Sequence, residues 1–387
     1  MIRSMSVLAD VDEYGFNVHI QSKAKRYLRD KILLSLVELI FFVTMAFIAV
    51  YFGFSQALRD LARGYMANPW GYIAIYFVIG YTVFWIFHII FKFLDSYLIE
   101  HKYGVSVQTF TSWLKDQTKT YLGLLAFLLA VVELTYYSMR ESPTMWWVIT
   151  WLFASIGTIF AVYIFPVIIM PLFYRFEPLK DEELTKRLVK LAEKAGITVV
   201  GVYKMGAAAK TRKAIGALTG IGNTRRILLS DTLLNNYTMD EIEGVIGHEL
   251  GHHVHKHIGK GVAVQLIFML ILFYLIDVVL RNSPNFFSFE GISDIANLPL
   301  FAVTVYIASW IFMPIFNTFS RKLEVEADTY ELELVSKPES FITSMRKLCD
   351  QNLRYVNPHP LIEIFFYDHP PGRKRIELAQ KYLKSKS

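Results

Sequence analysis

The run His248-Glu249-Leu250-Gly251-His252 sets two imidazoles four residues apart, with a carboxylic acid directly after the first. On a helix, positions i and i+4 share a face, so both rings can reach one divalent ion. Glu249 then sits beside that ion, where it can take a proton from an activated water. This is the chemistry of hydrolysis assisted by zinc. Ile242, Val245 and Ile246 precede the motif at helical spacing, and a long apolar run follows it.

A hydrolytic zinc needs a third protein ligand and an open position. His253, His255 and His257 follow on the same helix. His253 and His255 point off the metal face, and His257, five residues past His252, is turned by roughly 140°. A triple-histidine pattern would need histidine where Ile258 stands. The three are read as a solvated or interfacial cluster. Further along, Ser320-Arg321-Lys322-Leu323-Glu324-Val325-Glu326-Ala327-Asp328 sets Glu324 and Asp328 four residues apart. One carboxylate can bind zinc while the other accepts the N–H of a ligating imidazole and fixes its tautomer. The same spacing suits a solvated acidic face balanced by Arg321 and Lys322, and it does not choose between the two.

The elements that must carry these residues are mostly apolar. Of 387 residues, 54% are hydrophobic, and they fall in blocks rather than at amphipathic spacing, unlike a soluble domain. The net charge of +6 comes without basic runs interleaved with aromatics outside those blocks, which argues against a nucleic-acid partner. Cys349 is the single cysteine, so no internal disulfide and no thiolate metal site can form. Residues 1–30 are polar and charged, without the short apolar core of a cleavable signal peptide.

A bilayer core takes roughly 20 apolar helical residues. Six segments meet this, near 32–54, 70–94, 119–138, 146–170, 259–280 and 298–318. The fold class expected is therefore an α-helical polytopic membrane protein, with the bilayer as its first partner. Lys23, Lys25, Arg26, Arg29 and Lys31 precede the first span, and Lys92, Lys102, Lys115 and Lys119 follow the second. The stretches 174–258 and 320–387 are also rich in Lys and Arg, whereas the alternate loops hold Arg59 and Arg63, then Arg140, then Arg281. This parity places both termini and both long polar stretches on the cytoplasmic side. The chain divides into 1–173 (N-terminal segment and spans one to four), 174–258, 259–319 (spans five and six) and 320–387. The two polar stretches face one compartment and are expected to form one domain, split by the 259–318 hairpin. Within it, 181–196 reads as an amphipathic helix, 197–204 and 225–230 as short strands, and 206–224 as an edge strand with turns. Residues 238–257 read as a helix, with Thr238 as N-cap and Glu241 three residues on. The Lys384–Lys386 tail is expected to fray.

These features together are similar to the integral-membrane CAAX prenyl endopeptidases, the type I CAAX proteases. The resemblance lies in the HELGH helix, in Ser320-Arg321-x-x-Glu324-x-x-Ala327-Asp328 and in His369-Pro370-Pro371. It extends to IEHKYGVSVQTFTSWLKDQTK (99–119), FPVIIMPLFYRFEPL (165–179) and TRRILLSDTLL (224–234), and so runs from about residue 95 to the end. It implies six or seven transmembrane helices around a chamber, capped by a gluzincin-type α+β zinc protease domain with a small sheet. It implies one Zn2+ per chain, with Glu324 as third ligand beside His248 and His252, and Asp328 behind a ligating ring. It implies that His369 stabilises the oxyanion and that Arg375 lies near the zinc carboxylate. The substrate implied is a peptide or protein, prenylated or not, and no obligate protein partner is indicated.

Two departures stand out. The family's substrate-binding strand carries an Asn-Ala-Tyr-like run, where this chain has Ile215-Gly216-Ala217-Leu218-Thr219-Gly220. Main-chain pairing through Gly216, Ala217 and Leu218 can survive the change. The chain also has one span fewer than the eukaryotic members. Two rival readings are a quality-control metalloprotease of membrane proteins, for which four spans are usual, and a transporter or channel with a regulatory metal site. Glu38, His88, Glu133 and Asp277 fall in or beside spans, where ionisable groups face a wet cavity or each other.

Overall fold

The computed structural model describes residues 11–164, 168–220 and 222–386. Residues 1–10 of the N-terminal segment, 165–167 of the fourth expected span and of the 165–179 junction, and 221 of the 206–224 piece lie outside the described residues.

Inside a bilayer every backbone polar group must be satisfied within its own segment, so apolar runs become long helices. Helix α1 spans Val18–Tyr51 and starts well before its apolar run, because the Asn17 side chain accepts from the Ile20 N–H as N-cap. Helix α2 (Phe54–Tyr65) is an amphipathic element that the sequence reading passed over as a connection. Helix α3 (Pro69–Lys92) is capped by Asn68, with proline in its first turn. It continues through a π-helical stretch, Phe93–Ile99, into the single turn α4, Glu100–Lys102. Helices α5 (Phe110–Glu141) and α6 (Trp146–Ile164) complete the N-terminal half.

The polar stretch that follows runs β1 (Phe176–Pro178), α7 (Glu182–Lys194), β2 (Val202–Met205), β3 (Gly216–Thr219), β4 (Arg226–Ser230), α8 (Asp231–Asn236) and α9 (Met239–Val254). Helix α10 (His257–Asn282) returns to apolar sequence, and α11 (Leu298–Val335) follows it. Helices α12 (Pro338–Gln351), α13 (Pro360–Phe366) and α14 (Gly372–Lys386) close the chain. The tail expected to fray is thus helical to Lys386.

Among the described residues, five helical segments are long and apolar enough to cross a membrane: Val18–Tyr51, Pro69–Lys102, Phe110–Glu141, His257–Asn285 and Ile295–Val335. The fourth expected span is represented by α6, which ends at Ile164, the last described residue before 165–167. At 38 residues, α11 is about 57 Å long, well over the ~30 Å of a hydrocarbon core. Its apolar first half fills a span, and its second half projects beyond it carrying Glu324 and Asp328. Three of the four ionisable groups noted in the spans meet partners there. His88 Nδ1 lies 3.1 Å from Glu38 Oε1, and Asp277 accepts from Trp146 at 2.6 Å and from Arg281 at 2.7 Å.

The sheet has the order β1-β2-β4-β3. Strand β2 pairs parallel with β4, while β1 and β3 pair antiparallel with their neighbours. Gly216 stands opposite Leu229 and Leu218 opposite Ile227, so β3 is an edge strand. Under the sheet, Leu184 and Leu188 of α7 pack with Ile227 and Leu229 of β4 and with Ile242, Ile246 and Leu250 of α9. Each fully buried leucine or isoleucine contributes roughly 1.5–3 kcal/mol relative to exposure, which anchors the motif helix against the sheet. Leu334 of α11 joins the same core. The segment before β3 is held from the membrane side: the Val107 N–H donates to Lys210 O at 3.1 Å, and the Arg212 N–H to Val105 O at 2.9 Å.

Candidate active site

Helix α9 begins with a capping box in which the Thr238 side chain and the Glu241 carboxylate each bind the other's backbone N–H. Its buried side presents Gly244, Gly247 and Gly251 to α11. A Cβ on Gly251 would lie 3.1 Å from Ala327 Cα, and one on Gly247 would lie 2.7 Å from a Val335 methyl. A Cβ on Gly244 would lie 2.7 Å from Glu331 Oε1. This glycine stripe, three and then four residues apart, lets the two helices approach closely, and the approach sets the distance between the imidazoles and the carboxylates. A bulky side chain there must push the Ala327 backbone away. Gly251→Val is therefore expected to destabilise the fold by about 1–3 kcal/mol and to lower metal content, as read by thermal unfolding and elemental analysis of the purified protein.

At the crossing, His248 Nε2 and His252 Nε2 are 3.1 Å apart. Glu324 brings Oε2 to 3.2 Å from His248 Nε2, and Oε1 to 3.3 Å from His252 Nε2. Donors bound at ~2.0–2.1 Å in a tetrahedron stand about 3.3 Å from one another, so this triangle has the size a divalent ion requires. Glu324 Oε2 is buried and makes no hydrogen bond. Its lone pairs, like those of the two imidazoles, converge on a common point.

Behind the triangle, the Asp328 carboxylate is fully buried and lies 2.9 Å from His248 Nδ1. The Arg375 guanidinium grips the same carboxylate as a two-pronged fork, with Nε donating to Oδ2 at 2.7 Å and Nη2 to Oδ1. Burial opposes the charge on His248, yet Asp328 and Glu324 outweigh it and push the ring up to about 10. Such a carboxylate-rich pocket calls for positive charge at its centre. Burial raises the Glu249 carboxyl, against the opposing pull of His248 and His252. His369 reaches in from the segment before α14, with Nε2 3.3 Å from Glu324 Oε2 and Nδ1 2.8 Å from Asp368 Oδ1.

A second grouping of metal-capable side chains, His248, Asp328 and Glu331, shares one residue with the first. It suits a cation less well, because the Arg375 fork already takes both Asp328 oxygens.

The three histidines that follow the motif, expected as a solvated or interfacial cluster, lie at interfaces between elements. His253 Nε2 donates to the Leu218 carbonyl at 3.1 Å, tying the motif helix to the edge strand. His255 stacks on His257 with ring centroids 5.6 Å apart. His257 is buried, and its Nδ1 meets His252 Nδ1 at 2.8 Å. His257 departs from the roughly 140° of an unbroken helix because α9 does not continue: Lys256 adopts a left-handed conformation, φ 56°, and His257 comes back to His252.

A cavity of about 250 Å³ lies beside the cluster, lined among others by Gly216, Val245, His248, Glu249, His369 and Arg375. Of the three strand residues expected to meet substrate, Gly216 lines it. Leu218 is buried in the core, and its carbonyl is engaged by His253.

Residues 178–383 match the model of peptidase family M48, and residues 16–175 match the CAAX prenyl protease N-terminal model, described as five membrane helices. The Bacillus subtilis (strain 168) protein named uncharacterized metalloprotease YhfN is 35% identical over 290 residues, covering 74% of this chain and 68% of its own length. The CAAX prenyl protease 1 of Saccharomyces cerevisiae is 27% identical over 315 residues, with 76% and 69% covered. The crystal structure of S. mikatae Ste24p superposes with a TM-score of 0.84 over 97% of this chain and 91% of that one, at 22% identity, and so shares the fold. The membrane-helix match and the shared fold make this an integral, multi-pass membrane protein, and the peptidase match makes it a metal-dependent enzyme rather than a transporter or channel. The chain belongs to peptidase family M48 and is a membrane metalloendopeptidase.

Proposed function

We propose that the protein is a zinc metalloendopeptidase that cuts peptide bonds near the C-terminus of prenylated CAAX-type proteins or peptides. The observation that carries the zinc reading is the triangle of His248 Nε2, His252 Nε2 and the Glu324 carboxylate at 3.1–3.3 Å. An N/N/O donor set with no thiolate suits zinc in a hydrolytic site. The CAAX assignment leans on the named relatives and on the match to the N-terminal membrane-helix model.

In this reading His248, His252 and Glu324 hold one zinc ion per chain, which supplies Lewis acidity towards water and a peptide carbonyl. Asp328, itself pinned by Arg375, accepts the His248 Nδ1–H and keeps the lone pair of Nε2 turned towards the ion. Glu249 takes a proton from the attacking water and returns it to the leaving amine. Its raised pKa brings it closer to the neutral range where such a shuttle works best. With Asp368 accepting from Nδ1, His369 donates from Nε2 to the developing oxyanion only while both ring nitrogens carry protons. An extended peptide lies along the β3 edge at Gly216. The polar stretches 174–258 and 320–387 act as one protease domain on the cytoplasmic side, where the Lys/Arg-rich segments lie.

Lipid selectivity is tested by comparing a farnesylated CAAX peptide with its unmodified counterpart. The farnesylated peptide is expected to show kcat/KM higher by about tenfold or more, the equivalent of fewer than two buried methylene groups. Equal values would remove prenyl recognition and leave the peptidase chemistry standing.

A further inference from the structure

We propose that His257 and Glu326 form a hydrogen-bonded relay that fixes the tautomer of His252 and sets how tightly that ring holds the metal. The inference rests on the zinc reading above and extends it to two residues outside the ligand set.

The two motif histidines are supported differently. His248 meets a carboxylate directly, through Asp328. His252 has no carboxylate on its Nδ1. Its Nδ1 faces His257 Nδ1 at 2.8 Å, and His257 Nε2 faces Glu326 Oε2 at 3.0 Å. Lys260 Nζ donates to the same oxygen at 2.9 Å. A hydrogen bond between two Nδ1 atoms needs one proton, and the ends of the chain decide which ring supplies it. A carboxylate accepts, so His257 must carry its proton on Nε2. Its Nδ1 is then a lone pair, and His252 must donate from Nδ1. That leaves His252 Nε2 as a lone pair, facing His248 Nε2 and Glu324. The reverse order would put a proton on His252 Nε2, inside the donor triangle, and would leave Glu326 facing an acceptor.

The geometry holds the relay in place. His257 is 4% exposed, and its ring stacks on His255, which in turn packs edge-on against Tyr330 of α11. The left-handed Lys256 turns the start of α10 back over α9. Glu326, two residues past Glu324 on α11, faces α10 instead of the metal, so one helix supplies a ligand and the far end of the chain that orients another.

The test measures zinc affinity of the full-length, detergent-purified protein by competition with a chelator, alongside the melting temperature of chelator-stripped protein. His257→Leu is expected to weaken zinc binding on the order of 10–100-fold. Glu326→Ala removes the outer acceptor at a half-exposed position and is expected to weaken it by about threefold or more, since water can partly replace the carboxylate. His257→Asn puts an amide oxygen near the place of Nδ1 and is expected to recover part of the loss. Wild-type affinity in both His257→Leu and Glu326→Ala would overturn the relay. So would a loss in His257→Leu that Asn does not recover and that a lower melting temperature of the stripped protein accompanies, which would assign His257 to packing. A wild type that binds no zinc would instead bring down the metal site itself.

Discussion

Glu249→Gln is expected to lower kcat by about 10²–10⁴-fold, the range of a positioned general base, while zinc stays bound. The amide keeps the size of the side chain and removes the site that takes the proton. Glu249 is placed one residue after His248 on α9, so its carboxyl lies beside the cluster and lines the cavity where substrate would sit. The three donors that face one another belong to His248, His252 and Glu324, so the substitution leaves the ligand set whole. Steady-state kinetics paired with elemental analysis separates the two effects. Wild-type turnover in Glu249→Gln would show that the proton moves through another group. Lost metal would show that Glu249 is a ligand.

The second large effect falls on Asp328, which touches neither substrate nor the open position. This side chain is fully buried and holds both Arg375 and His248. Asp328→Ala takes away the carboxylate that both prongs of the guanidinium hold, and burial already opposes the charge on Arg375. Removing one member of such a pair costs about 3–5 kcal/mol, and losing the acceptor on His248 costs about 10–100-fold in metal affinity. The expected result is a lower melting temperature even in chelator, together with weaker zinc binding. Asp328→Asn keeps an acceptor for His248 and gives up charge, so its metal affinity should lie between the two. A variant with wild-type melting and wild-type affinity would contradict the role given to the Asp328–Arg375 pair.

Much of the fold is legible because its strongest signals are local. Apolar runs longer than a bilayer is thick announce helices, and α1, α3, α5, α10 and α11 lie where those runs are. The cap at Thr238 is readable from Glu241 three residues later. Strand β4 falls inside its expected stretch, β2 runs one residue past its own, and β3 is the edge strand foreseen in 206–224. Helix α2 is hard to read from sequence because it is short, at 12 residues, and its apolar positions are interspersed with charges such as Arg59 and Arg63.

The site divides along the same line. His248, Glu249 and His252 are adjacent in sequence, so their convergence follows from helix geometry alone. Glu324 is 76 residues from His248 by numbering, and spacing could not choose between a ligand and a solvated acidic face. What decides is the crossing of α9 and α11, whose signal was present in Gly244, Gly247 and Gly251 but went unread. His257 was dismissed by assuming an unbroken helix. The left-handed residue that breaks it is a lysine, and nothing local marks a lysine as a break. Glu331, buried against Gly244 and Gly247, is not marked by local sequence because its neighbours lie on another helix.

Anomalous scattering at the zinc edge from crystals of the protein locates the ion itself. One peak per chain is expected within bonding distance of His248 Nε2, His252 Nε2 and the Glu324 carboxylate. A peak among His248, Asp328 and Glu331 instead, or no peak from zinc-supplemented protein, would contradict that ligand set.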